Sequence, residues 1–202
     1  SNAKIRISGD FKDHLRSNLT SSLDINLEDG NIENIVKFKL FLPETKRMNT
    51  EFVTSEIMRN LGFLTPRTYK IRASINGQDE VEYIFQEKAV KEFIEFNKLR
   101  ESTILETSEE YYWEKKQEIN SSVPLLFGKI LNTNWSNLSK FNQKISIEAL
   151  YNLNKLIFQS DQSKGSFLIY DITEESYEQI RKFDAAIYAL DGQHGLAIHN
   201  RK

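Results

Sequence analysis

Side chains that can do chemistry crowd into the stretch from Asp184 to Lys202, which reads DAAIYALDGQHGLAIHNRK. It carries two of the three histidines, His194 and His199, together with Asp184, Asp191 and Asn200. Imidazole changes charge near neutral pH and can pass a proton, while Asp and Asn oxygens ligate hard cations. His194 and His199 stand five apart in a loop and form a weak metal pair, because no helical HExxH spacing accompanies them. The other reading of His194 and Asn200 is that they satisfy loop backbone. A serine triad has no support, since no serine stands in a G-x-S-x-G turn. Gly192 and Gly195 interrupt the apolar run AAIYAL, so a helix ends near Leu190 and gives way to a tight polar loop.

The elements that must position these groups fall into two kinds. Residues 4 to 42 read as strands: KIRI, then SLDINL, then NIVKFKLFL alternate apolar and polar residues, with turns at Gly9-Asp10 and Asp29-Gly30 and a stop at Pro43. Asn49 or Thr50 caps a helix running to about Asn60, which Gly62 ends. TPRTYKIRASI and EVEYIFQEK follow as strands around a tight turn at Asn76-Gly77. From Lys88 the apolar period becomes helical in KAVKEFIEFNKL, EEYYWEKK, PLLFGKIL, ISIEALYNLNKLIF and TEESYEQIRKFDAAIYAL, the last capped by Thr173 with a glutamate about three residues on. Strands first and helices afterwards predict an α+β protein: a β-rich lobe over residues 4–87 and a mainly helical lobe over 88–202, with Ser1-Asn2-Ala3 read as the remnant of an affinity tag.

Composition narrows the partners. The 202 residues carry 27 basic and 29 acidic side chains, a balance that offers no electrostatic case for nucleic acid or an anionic membrane. Cysteine is absent, which removes disulfides, thiolate catalysis and cysteine-based zinc sites together. No apolar run approaches the roughly 18 to 20 residues that a membrane span requires, so no membrane segment is expected.

Five stretches in register carry a family resemblance: RISGDFKDH at 6 to 14, FKLFLPETKRMNTEF at 38 to 52, LGFLTPR at 61 to 67, YIFQEKAVKEFIEFNKLRESTIL at 83 to 105 and HGLAIHN at 194 to 200. Together they resemble the CotH family, the spore-coat-type kinase-like proteins. The resemblance implies an atypical protein-kinase-like fold, ATP with Mg²⁺ or Mn²⁺, and phosphoryl transfer to a protein substrate. Such chemistry needs cations for the phosphates, oxygen ligands for the metal and a group that takes the acceptor's proton. The expected cations are Lys37 and Lys39, two apart on one strand face, with Lys39 pairing with Glu51 on the following helix; two solvated lysines are the other reading. Gln86-Glu87-Lys88 falls where the adenine-binding hinge of a kinase would lie. There Glu87 either bonds a ribose hydroxyl or simply opens the next helix.

In the last loop the resemblance puts Asn200 on the metal and either Asp191 or His194 on the acceptor's proton, because His194 falls where the family pattern has an aspartate. Ser8 replaces a second basic residue of that pattern, and no glycine-rich phosphate loop is present. A metal-binding aspartate is implied beyond Lys202, so the expectation is a C-terminal lobe truncated before its site is complete, with little phosphate transfer by this fragment. These departures sustain a second expectation from another class, a non-catalytic kinase-like binding or scaffold protein of the cell envelope or spore coat.

Overall fold

The computed structural model describes residues 2–8, 15–17, 20–46, 50–116, 118, 126–159 and 173–192. The chain is mixed α and β and divides into two compact units, Ser1–Arg100 and Glu101–Lys202. The division expected after Glu87 therefore falls later, after Arg100. Residues beyond the last strand of the sheet stay with the first unit because their contacts are made there.

The first unit is built on a five-stranded, wholly antiparallel sheet. Its strands are β1 (Ala3–Ile7), β4 (Leu23–Leu27), β5 (Lys37–Phe41), β6 (Thr68–Ala73) and β7 (Val81–Glu87), in the spatial order β1-β4-β5-β7-β6. A short pair, β2 (Leu15–Ser17) and β3 (Thr20–Ser21), stands between β1 and β4 in the chain. Helix α1 (Thr50–Asn60) is inserted between the third strand of the sheet, β5, and the fourth, β6. Gly62 follows it at φ +88°, a backbone state that glycine adopts without the steric cost a Cβ would bring. Asn49, the alternative cap, lies outside the described residues, as does the Gly9-Asp10 turn.

Alternation along the strands sorts the side chains onto two faces. One face buries Ile25, Phe38, Leu40, Tyr83 and Phe85, with Ile35 and Leu42 from the adjoining loops. Phe38 and Phe85 stack with ring centres 4.5 Å apart across the β5–β7 pair. Ser22 is fully buried where three segments meet. Its hydroxyl accepts the Leu42 N–H at 3.1 Å and its carbonyl accepts the Ser8 N–H at 2.8 Å, so no backbone donor is stranded there. Asn76 and Gly77 take the expected left-handed conformation, φ 54° and 72°. The strands, however, first pair at Ala73 and Val81, so the two residues cap a wider loop than a tight hairpin.

A buried ion pair locks the end of β7. Arg67 donates Nε to Glu87 Oε2 at 2.9 Å and a terminal nitrogen to Oε1 at 2.7 Å. It donates its other terminal nitrogen to the Glu33 carbonyl at 2.9 Å and stacks 4.2 Å over Phe96. Phe96 closes helix α2 (Lys91–Phe96), which is shorter than the helix expected over 88–99. Two causes trim it: the Lys88 N–H is still bonded to the Lys37 carbonyl as an extension of the sheet, and Lys98 is left-handed at φ 57°.

The second unit pairs β8 (Leu105–Ser108) with β9 (Phe127–Ile130) and adds α3 (Glu110–Lys115), α4 (Thr133–Ser136), α5 (Lys140–Gln159) and α6 (Glu174–Ala189). The stretch PLLFGKIL, expected as helix, supplies β9. A short apolar run does not distinguish helix from strand by its period, and here pairing with β8, remote in sequence, decides. Gly128 lets α5 approach closely: its N–H donates to Asn154 Oδ1 at 2.8 Å, and a Cβ there would meet Leu150 and Leu153 at 2.9 Å. Thr173 caps α6 as expected, accepting the Ser176 N–H at 3.2 Å, but the residue three positions on is Ser176 and not a glutamate. The helix ends at Leu190 with Asp191 left-handed at φ 54° and the Gly192 N–H returning to the Ile187 carbonyl.

The Arg67–Glu87 pair yields a stability prediction. Glu87→Ala leaves a buried guanidinium without its carboxylate and should cost about 3–5 kcal/mol in urea unfolding, whereas the joint replacement Arg67→Met with Glu87→Leu should recover most of that loss. Equal losses for the single and double variants would refute this account of the pair.

Candidate functional site

The face of the sheet opposite the apolar core carries a polar row set by strand register. Arg6 lies beside Asp24, Asp24 beside Lys39, and Lys39 beside Gln86. Glu51, in the first turn of α1, accepts a hydrogen bond from Nε2 of Gln86. Helix glutamate and strand lysine are thus brought to one neighbourhood through Gln86, which sequence reasoning had noticed only as part of a hinge. The Lys39 ammonium lies 5.7 Å from the Phe41 ring centre.

Glu87 sits elsewhere. As the neighbour of Gln86 on β7 it projects to the other side, and its side chain is fully buried against Arg67. Bonding a ribose hydroxyl would require breaking a two-pronged ion pair, so the structure gives Glu87 an architectural role instead of the nucleotide contact expected for it. Asp191 stands just past the end of α6. His194, His199 and Asn200 lie outside the described residues. Among the described residues no three His, Asp or Glu side chains converge as metal ligands.

Sequence reasoning missed the centre of the polar face, Asp24. It is 6% exposed, yet its carboxylate is fully engaged. Arg6 donates Nε and a terminal nitrogen to Oδ2 at 3.2 and 2.8 Å, and the Lys88 ammonium reaches both oxygens at 3.1 Å. Burial by itself would raise the Asp24 pKa; hydrogen bonds from Arg6 and Lys88, with the charges of both, outweigh it and hold the carboxyl below its ordinary value. The pattern gave little signal, because the alternation of LDINL puts Asp24 at a polar position where a solvated carboxylate is the ordinary reading. The partners are 18 and 64 residues away in sequence, so the pattern alone did not name them.

Around this centre lies a cleft of about 270 Å³ whose polar lining is Lys4, Arg6, Asp24, Asn26, Lys37 and Lys88. Lys4 also pairs with Glu28 at 2.9 Å. The face therefore combines an excess of positive charge with hydrogen-bond donors held in place. Such an arrangement suits phosphate or carboxylate oxygens and not an uncharged ring.

Comparison with protein-family models, with curated proteins and with solved structures returns no match for this chain. What the polar face can do is therefore read from its own residues.

The lowered Asp24 pKa fixes the sign of a pH dependence. A carboxyl whose folded pKa lies below its unfolded value of 3.8 contributes stability that is complete above 3.8 and is lost as pH falls through the folded value. Urea midpoints should accordingly drop as pH is lowered below that point, and Asp24→Asn, less stable near neutrality, should drop less. Parallel pH curves for the two proteins would show that Asp24 contributes nothing through its charge.

Proposed function

We propose that the full-length protein is a CotH-like atypical kinase that uses ATP and a divalent cation to phosphorylate protein hydroxyls. One observation carries this reading. A helix inserted after the third strand of the antiparallel sheet presents Glu51, in its first turn, to the cross-strand neighbour of Lys39. Protein kinases depend on a lysine from the third strand and a glutamate from the following helix.

Lys39 offers a cation suited to phosphate oxygens, on the face of the sheet where Glu51 meets Gln86. Asn200, the metal ligand the resemblance implies, is outside the described residues, so no step is assigned to a metal here. In this reading Lys39 neutralises phosphate charge, and Glu51 orients the lysine once it is exchanged from Gln86. Asp191 or His194 receives the proton of the acceptor hydroxyl. When bound, ATP with Mg²⁺ or Mn²⁺ supplies the phosphoryl group and offsets its negative charge.

A second reading has an observation of its own. Glu87 is engaged by Arg67 and Glu51 by Gln86, so both carboxylates expected at the nucleotide are occupied within the chain. That favours a non-catalytic kinase-like binding or scaffold protein of the cell envelope or spore coat.

Binding separates the two. ATP with Mg²⁺ or Mn²⁺ at 100 times its dissociation constant should stabilise the full-length protein by about 2.7 kcal/mol in a thermal-shift experiment. Lys39→Ala and Glu51→Ala should each abolish labelled-phosphate transfer while the protein stays folded, as its cooperative unfolding transition would show. A full-length protein that gives no shift and transfers no phosphate with either metal belongs to the scaffold class.

A further inference from the structure

We propose that the cleft between β1, β4 and β5 is a binding site for a diphosphate group, held by Lys37, Lys88 and Arg6 beside the buried Asp24. The inference stands apart from the nucleotide reading, which rests on Lys39 and Glu51.

Charge is the first argument. The cleft is lined by four cations, Lys4, Arg6, Lys37 and Lys88, and by one carboxylate, Asp24. Counting Glu28, the external partner of Lys4, two positive charges remain uncompensated. The whole chain carries a formal charge of −2, so this local excess is not a by-product of a basic composition. Like charges side by side on one sheet face oppose folding, and a bound anion relieves that repulsion.

Preorganisation is the second. Asp24 is buried and grips both Arg6 and Lys88, so two of the donors are already held in position. Lys37 adds a third, on the strand next to Asp24: it is paired by register with Asn26, which is paired in turn with Lys4. Among the described residues the Lys37 side chain has no hydrogen-bond or ion-pair partner, and it lines the cleft. An Arg fork can take two phosphate oxygens while the lysines supply point charges.

Size is the third. At about 270 Å³ the cleft falls just below the roughly 300–1,000 Å³ of pockets that enclose a drug-sized ligand, and among the described residues Ile5 is the one apolar side chain in its lining. A diphosphate fits both the volume and the donors. The group has two sources, free inorganic diphosphate or the phosphates of a nucleotide, and the same residues would serve either.

The test is calorimetric titration of the protein with inorganic diphosphate, ATP and adenosine, each without metal, with sulfate as the comparison anion. Diphosphate should bind more tightly than sulfate and weaken as salt shortens the range of the charges. Lys37→Ala should weaken it about tenfold, the low end for a hydrogen bond to a charged group, and Lys37→Glu should abolish it. Because Lys37 has no side-chain partner among the described residues, both variants should keep the wild-type unfolding midpoint; Lys37→Gln repeats the measurement if one does not. Lys39→Ala, which removes a cation outside the cleft lining, should weaken diphosphate binding less than Lys37→Ala does.

ATP that competes with diphosphate and shares its dependence on Lys37 identifies a nucleotide as the source. ATP that fails to bind while diphosphate binds identifies the free anion as the source; the kinase reading, which needs the metal complex of ATP, is decided separately by the thermal-shift experiment with Mg²⁺ or Mn²⁺. No diphosphate binding at millimolar concentration, equal affinity for the wild type and Lys37→Ala, or displacement of diphosphate by adenosine would each overturn the proposal.

Discussion

Everything on the polar face follows from the packing of β5 against β7. Phe38 and Leu40 must be buried, and they are, against Phe85 and Tyr83. Because successive side chains of a strand point to opposite sides, that burial turns Lys37 and Lys39 to the face beside α1 and turns Gln86 with them. A slip of one residue in this register would put two lysines into an apolar core. The hydrophobic term that holds the sheet together therefore also aims the cations, and no separate device is needed to point them.

The ion pairs act on a second level. Arg67 and Glu87 close the C-terminal end of β7, where the chain leaves the sheet for α2, and the stacking of Arg67 on Phe96 ties that helix to the same point. Asp24 does the corresponding work on the opposite face, joining β1 through Arg6 and the end of β7 through Lys88. Both carboxylates are buried and both are doubly engaged, which is the condition under which a buried charge is tolerated. They differ in what surrounds them. Glu87 is matched by one guanidinium, whereas Asp24 sits among more cations than it can neutralise.

The second unit is held differently. Among its described residues the buried apolar cluster is Leu126 and Ile157 with Leu153 packed against them, where α5 approaches β9 closely at Gly128. Phe141, Ile147, Tyr151 and Phe158 of α5 are exposed among the described residues.

The strands of the first unit, α1 with its glycine stop and the capped α6 were legible in the sequence, because alternation, caps and left-handed glycines are local properties. The α+β class and the position of Lys39 and Glu51 on neighbouring elements could be read for the same reason. What local pattern did not contain was partner choice. PLLFGKIL became a strand through pairing with β8, Glu87 was claimed by Arg67 from 20 residues away, and Asp24 by Lys88 from 64. The chain's own order determines which residues alternate and where helices stop; only the tertiary structure decides which charges meet, because that depends on the register of strands whose separation in sequence carries no periodic signal.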